Sequence, residues 1–312
     1  MGTDIESEAW AETRGQARGV VRVAIAGATG YAGRELIHIL AHHPHARIVR
    51  LMSSGRQAKR AQAFPIEQSH PRLRSAESGS SKASSRATRS RGAVVCEPLD
   101  TERLVPSDVD LVFLATPHET SHDVAPALLE RGLKIIDLSG AFRLKPAGAY
   151  ARWYGFEHHA ADALAEAVYG LPELNAAEIA KAQLVANPGC YATSIILALA
   201  PLLKADWVDV EAGIIADAKS GASGAGRAPS EKLHFAEVNE NCRAYGVFSH
   251  RHIPEMLQAL SLEERDLTFT PHLLPITRGI LSTVYVRLSE SSHVRDTGQV
   301  HSLYQDFYSA AS

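Results

Sequence analysis

Val20-Val-Arg-Val-Ala-Ile-Ala26, running directly into Gly27-Ala-Thr-Gly-Tyr-Ala-Gly33, decides the fold of this 312-residue chain. The first seven residues are apolar and rich in β-branched side chains, the composition of a buried strand. Arg34 to His43 then carries apolar residues at helical spacing, so the segment reads as strand, glycine turn, helix. Gly27 allows the tight turn, Gly30 lets the backbone approach a pyrophosphate, and Gly33 permits close packing of helix on strand. An ordinary βα turn is the plainer reading, but the position after the first core strand points to a dinucleotide held at the helix N-terminus. Thr29 and Tyr31 share that turn. The pattern predicts an α/β chain with a Rossmann-type doubly wound parallel sheet.

Outward from that turn, Arg47 to Met52 reads as the second strand and ends in Ser53-Ser54-Gly55-Arg56-Gln57-Ala58-Lys59-Arg60. An NAD-selective site usually has a carboxylate near this point, to accept hydrogen bonds from the ribose hydroxyls. None is present. Ser53, Ser54 and Arg56 suit a 2′-phosphate, so NADP(H) is the expected cofactor. Residues 75–91 (SAESGSSKASSRATRSR) are basic, serine-rich and poor in apolar side chains, which predicts a disordered surface insertion. The pattern resumes with a strand over Val109 to Ala115, a helix over Ser121 to Arg131 and a strand over Leu133 to Leu138. Ligands of such sheets lie beyond the strands' carboxyl ends, which brings Pro117 and Ser139 toward the cofactor, with His118 either there or in a surface loop.

The chemistry-bearing stretch is Leu184-Val-Ala-Asn187-Pro-Gly-Cys190-Tyr-Ala-Thr-Ser194. A short strand meets a breaker cluster, and Cys190 opens an apolar helix. Unpaired N–H groups and the positive end of the helix dipole favour a thiolate, so a cysteine there can be ionised near neutral pH, and Cys190 reads as a nucleophile. A small buried cysteine is the alternative. Ser220 to Arg227 is a glycine- and serine-rich loop suited to an anion. His250 and His252 lack a cysteine or carboxylate at standard metal-ligand spacing, so no metal is expected, and a histidine serving as acid or base for Cys190 is the sharper idea. Leu267 to Leu274 and Ile280 to Leu288 read as a long antiparallel pair in an α+β second domain with a mixed or antiparallel sheet. Residues 1–19 are expected as a flexible tail, 20–186 as the cofactor domain and 187–312 as the catalytic and oligomerisation domain.

Composition narrows the classes. A net charge of −3 gives no electrostatic case for nucleic acid or membrane as partner. Three cysteines form no disulfide framework, and residues 1–19 lack the apolar core of a signal peptide; both fit a cytoplasmic protein. A dinucleotide beside a helix-start cysteine implies a thioester route between an acyl phosphate, as small-molecule substrate, and an aldehyde.

Seven segments, in order, carry a resemblance: the glycine turn Gly27 to Gly33, Asp137-Leu-Ser-Gly-Ala-Phe-Arg143, Tyr169-Gly-Leu-Pro-Glu173, Asn187 to Thr193, Ser220 to Arg227, His250-Arg-His-Ile-Pro-Glu255 and Pro271 to Gly279. Together they resemble the N-acetyl-γ-glutamyl-phosphate reductase family of arginine biosynthesis, within the aspartate-semialdehyde dehydrogenase-like superfamily. The resemblance implies NADPH-dependent reduction of N-acetyl-γ-glutamyl phosphate to the semialdehyde. Cys190 would be the nucleophile and His250 the acid/base, with Arg227, Arg143, Asn187 and Ser220 around the substrate and Gly221 by the cofactor. A homodimer or homotetramer is implied as well. Such families continue beyond the long strands with an Asn-Leu-x-Lys-Gly segment and a helix returning to the cofactor domain; here Gln299 to Ala310 reads as one helix, and the second domain is expected to lack that return. Aspartate-semialdehyde dehydrogenase, a carrier-protein-linked aminoadipyl-phosphate reductase and a catalytically silent NADP-binding module are the rival readings.

Overall fold

The structure is a computed structural model that describes residues 19–53, 64–65 and 95–311. The tail ahead of Gly19, Ser54, Arg56 and the basic stretch 75–91 lie outside the described residues.

The first half is built on strands β1 (Val21–Ala26), β2 (Ala46–Ser53), β3 (Phe64–Pro65), β4 (Val95–Pro98), β5 (Leu111–Leu114), β6 (Lys134–Asp137), β7 (Val168–Tyr169) and β8 (Leu184–Ala186). They form one sheet in the order β3-β4-β2-β1-β5-β6-β8-β7, parallel throughout except for β3 against β4. Period-two alternation along β1 explains how both faces are filled. Val23 and Ile25 pack with Ile37 and Leu40 of helix α1 (Tyr31–Ala41), while Ala24 and Ala26 face the cluster that includes Leu128 of helix α2 (His118–Glu130). The stretch between Arg143 and Leu184 holds three short helices: α3 (Ala149–Trp153), α4 (Ala161–Glu166) and α5 (Pro172–Lys181).

Helix α6 (Cys190–Lys204) leads into the second half, where β9 (Ile214–Gly221), β10 (Arg243–Ala244), helix α7 (Ile253–Leu260), β11 (Leu267–Leu274) and β12 (Ile280–Tyr285) follow. The sheet order is β10-β11-β9-β12. This corrects the expected antiparallel pair: β11 and β12 do not touch, because β9 lies between them, parallel to β11 and antiparallel to β12. The reason is the connection. Thr277 and Ile276 accept hydrogen bonds from Ser223 and Ala222 at the end of β9, so the Pro275 to Gly279 loop steps across that strand, a gap of about two strand spacings or ~9.5 Å. One face of this sheet packs with Ile195, Ile196 and Leu199 of α6 and Met256 of α7. The last helix, α8 (Thr297–Tyr308), lies on α6. Pro201, inside α6, has no N–H for the carbonyl of Leu197; the Tyr308 hydroxyl donates to that carbonyl at 2.7 Å, and the Tyr304 hydroxyl donates to the carbonyl of Ala198.

Candidate active site

Buried strand β8 ends in Asn187, whose N–H still donates to Asp137 at the end of β6 (2.8 Å). Pro188 and Gly189 then turn the chain, and Gly189 caps α6 so that Cys190 is its first residue. Gly189 has ordinary extended backbone, but a Cβ there would sit 2.4 Å from Nε2 of His252. The close approach of that imidazole, not a special turn, requires the glycine.

A buried ion pair clamps this turn from both sides. Arg143 Nε donates to the Asn187 carbonyl (2.7 Å), Nη2 to the Leu138 carbonyl (3.0 Å) and Nη1 to Oε1 of Glu255 (3.1 Å). Glu255, fully buried on α7, also accepts from the Tyr154 hydroxyl at Oε1 (3.2 Å) and, at Oε2, from the Tyr169 hydroxyl (3.0 Å) and the N–H of Gly189 (2.8 Å). Burial pulls the Arg143 guanidinium down, yet Glu255, with help from Tyr154, Asp137 and Tyr169, outweighs it and leaves the group above its ordinary value. Arg143, expected at the substrate, is buried, and its Nε, Nη1 and Nη2 each donate one hydrogen bond inside the protein.

Both histidines reach the nucleophile turn. The rings of His250 and His252 lie edge to face with centroids 4.6 Å apart, and those of Tyr191, next to the cysteine, lie 5.5 and 6.2 Å from them. His250 Nδ1 is 3.1 Å from the N–H of His252 and accepts from it, so in the neutral ring Nε2 carries the proton. Burial, then the charge of Arg251, lowers His250 to about 4, against a weaker raising effect of Glu255. His252 is driven further down, by burial first and then by Arg143. Arg251 is exposed, and its charge also acts on His118, Tyr154 and Tyr245 around the crevice.

Cys190 is open to solvent on one side, but the protein packed around its sulfur desolvates it and raises the thiol. The N–H of Tyr191 and the Arg143 charge pull it down, Glu255 pushes it up, and desolvation wins. The helix-start effect is present and is outweighed by desolvation. The sign fixes a measurable result. Alkylation by iodoacetamide, with exposed Cys242 replaced by serine, should rise about tenfold per pH unit to a midpoint above the ordinary cysteine value of about 8.5, with no step near pH 6–7. A plateau already reached at pH 7 would contradict this.

On the dinucleotide side, Gly27 has φ of 88° and a Cβ there would meet the Ala115 carbonyl at 2.1 Å, whereas a Cβ at Gly30 would meet only the Gly27 carbonyl, at 3.4 Å, leaving its outer side open. Thr29 Oγ1 lies 3.2 Å from Oγ of buried Ser53, which ties the glycine turn to the end of β2. Tyr31 begins α1 and is exposed; Pro117 caps α2. Ser139 donates to buried Asp137 through N–H (3.0 Å) and Oγ (2.8 Å). Ser220 and Gly221 are buried at the end of β9, and Gly221 is packed on the backbone of Ile276 to Arg278. Arg227, expected at the substrate, donates from Nη1 to the Thr29 carbonyl (2.8 Å), so it bridges the second-domain loop to the glycine turn. Among the described residues no group of three or more His, Cys, Asp or Glu side chains could hold a metal ion, and no helix is long and apolar enough to cross a membrane. Glu255 and Arg251 are the site residues that sequence reasoning did not single out. A carboxylate in the first turn after a proline is a helix-start signal, but its reach to a second helix's cap is not visible in sequence.

Comparison with known proteins follows the same division. The semialdehyde dehydrogenase NAD binding domain matches residues 22–182, and the semialdehyde dehydrogenase dimerisation domain matches residues 190–312. Among solved structures, aspartate semialdehyde dehydrogenase II from Vibrio cholerae superimposes with a TM-score of 0.62 at 18% identity, over 91% of this chain and 78% of that one. Among curated relatives, the N-acetyl-gamma-glutamyl-phosphate reductase of Magnetococcus marinus is 47% identical over 89% of this chain and 75% of its own length. That of Pelotomaculum thermopropionicum is 45% identical over 92% and 77%. With two family models spanning most of its length and such relatives at this identity, the chain belongs to the N-acetyl-gamma-glutamyl-phosphate reductase family of semialdehyde dehydrogenase-type oxidoreductases.

Proposed function

We propose that this chain reduces N-acetyl-γ-glutamyl phosphate to N-acetylglutamate 5-semialdehyde with NADPH, through a thioester on Cys190. The observation that carries the proposal is the cysteine turn itself. Cys190 stands solvent-accessible at the start of α6, held by Arg143 and Glu255 beyond the carboxyl end of β8, with two imidazoles against the next residue.

The sulfur attacks the acyl carbon, the S–C bond forms, the C–O bond to phosphate breaks, and the thiol proton leaves with the departing phosphate or to solvent. NADPH supplies the hydride when bound. The carbonyl oxygen of the thioester gains negative charge as hydride arrives, and the Nε2–H of neutral His250 is the donor suited to meet it. Collapse expels the Cys190 thiolate, which regains a proton. In this tautomer His250 serves as a hydrogen donor, because its Nδ1 lone pair is held by the His252 N–H.

The residues fit the cofactor. Gly30 leaves its outer side open, Ser53 stands where an NAD-selective site would carry a carboxylate, and Arg227 brings a cation to the glycine turn. Arg251, exposed between the two histidines in sequence, is a further cation we assign to the substrate's anionic groups, beside Arg143. The division of labour at about residue 187 follows the same lines. Ile215, Leu281 and Tyr285 are exposed on β9 and β12 of the second sheet, and this side is our candidate for homo-oligomer contact.

The test is the reverse reaction: phosphate-dependent reduction of NADP⁺ with N-acetylglutamate semialdehyde. Turnover is expected with that pair, at least tenfold lower with NAD⁺ and with aspartate semialdehyde. Equal rates with aspartate semialdehyde would reject the acyl assignment, and equal rates with NAD⁺ would reject the 2′-phosphate site.

A further inference from the structure

Away from the nucleophile, the two halves of the chain also meet at the glycine turn, through arginines of two second-domain loops. Arg227 donates to the Thr29 carbonyl (2.8 Å), and Arg278 pairs with Glu35 of α1 at 2.6 Å. The chemistry above uses Arg227 and leaves Arg278 without a part. The two loops are laced together. The N–H of Gly221 donates to the Gly279 carbonyl (3.0 Å), that of Ala222 to Ile276 (2.8 Å) and that of Ser223 to Thr277 (3.1 Å). A Cβ at Gly221 would lie 2.8 Å from the backbone N of Arg278, so the two backbones touch with no side chain between them. A short 3₁₀ turn over Ala222–Ala225 then leads to Gly226, whose φ is 89° and whose N–H donates to the Ser223 carbonyl (3.1 Å). Arg227 follows directly, so wherever Glu35 holds Arg278, this braced path takes Arg227 with it.

We propose that Arg278 is a positioning residue of the cofactor site: paired with Glu35 on α1, it docks the 221–227 loop of the second domain on the glycine turn and so sets the Arg227 guanidinium at the cofactor's phosphates. The proposal rests on the reading of Arg227 as a cation of the cofactor site. It gives Arg278 no contact with nucleotide or substrate. Both members of the pair are partly open to solvent, and an exposed pair contributes little to stability, so its use lies in where it holds the loop. The charges around the turn fit that use. Glu35 is matched by Arg278, whereas the Arg34 guanidinium beside it is lowered by burial first and then by the charge of Arg227. Two cations that repel one another gain from an arriving anion.

Glu35→Gln separates positioning from simple electrostatics. Removing a carboxylate beside the phosphate-binding turn would, by charge alone, tighten the binding of NADPH. Positioning requires the opposite: Kd for NADPH, read from its fluorescence on titration, rises about threefold, the size of an exposed pair, and Arg278→Gln does the same. At saturating NADPH, kcat and the KM of the acyl phosphate stay within about twofold, and the Tm of the nucleotide-free protein moves by less than about 2 °C. Arg227→Gln alone is expected to raise Kd about tenfold, the loss of one charge-assisted contact to phosphate. In that background Glu35→Gln no longer weakens binding, because the loop it docks has lost its cation. An unchanged or lower Kd in Glu35→Gln overturns the proposal, and so does a rise that persists undiminished in Arg227→Gln. If Glu35→Gln disturbs α1 and lowers Tm, Arg278→Gln decides by the same criteria. An Arg227→Gln protein that binds NADPH like the parent rejects the cofactor role of Arg227 itself, a failure distinct from any result at Glu35 or Arg278.

Discussion

Cys190→Ser abolishes phosphate-dependent turnover, by roughly 10⁴-fold or more, while the protein stays folded and binds NADPH as before. The two parts of this expectation have separate grounds. The side chain is partly open to solvent and is not in the apolar core, so exchange of sulfur for oxygen costs little stability, within about 0.5 kcal/mol. The chemistry has no such tolerance. A serine hydroxyl is a far weaker nucleophile than a thiol, and His250 has its Nδ1 lone pair committed to the His252 N–H. Serine would also form an ester, which accepts hydride less readily than a thioester. Stopped-flow or steady-state reduction of NADP⁺, beside nucleotide binding by fluorescence, measures both parts. Retention of more than about 1% of turnover would end the thioester reading.

Gly33→Ala is the second large expected effect, and two opposing terms decide it. Alanine inside α1 gains about 1 kcal/mol of helix propensity over glycine. Against this, the new Cβ would lie 2.3 Å from the Gly27 carbonyl and 2.9 Å from the Ala28 Cα, and both are backbone atoms that no rotamer change can move. Overpacking of this kind costs about 1–3 kcal/mol, and more where backbone must shift. The clash wins, so a net loss of about 2 kcal/mol is expected, read as a lowered Tm. The shift of α1 away from the turn also spoils the approach to phosphate, so NADPH binding should weaken more than tenfold. A protein as stable as the parent, with unchanged affinity, would show that the helix can slide without consequence.

The glycine turn was readable because each glycine answers a local steric need: Gly27 sits at positive φ against Ala115, and Gly33 lies against Gly27 itself. Cys190 at a helix start was readable for the same reason, since Asn187-Pro-Gly breaks a strand and an apolar run follows. What the sequence could not carry was set by distant partners. The ionisation of Cys190 depends on how much protein surrounds the sulfur, and burial reverses what the helix end alone predicts. That Arg143 pairs with Glu255 could not be read, because the two lie 112 positions apart along the chain. The placing of β9 between β11 and β12 turns on a loop crossing a strand, and alternation in each strand says nothing of its neighbour.

The hydroxyls of Tyr304 and Tyr308 give the end of the chain a mechanical stake in its middle. Pro201 leaves a carbonyl of α6 without its own donor, and the partner that completes it arrives from the last helix, 111 residues further on. The rod whose tip is the reactive sulfur is therefore not self-sufficient. Separating α8 from α6 would uncover an unpaired carbonyl on that rod, so the packing of one helix completes the hydrogen bonding of the other.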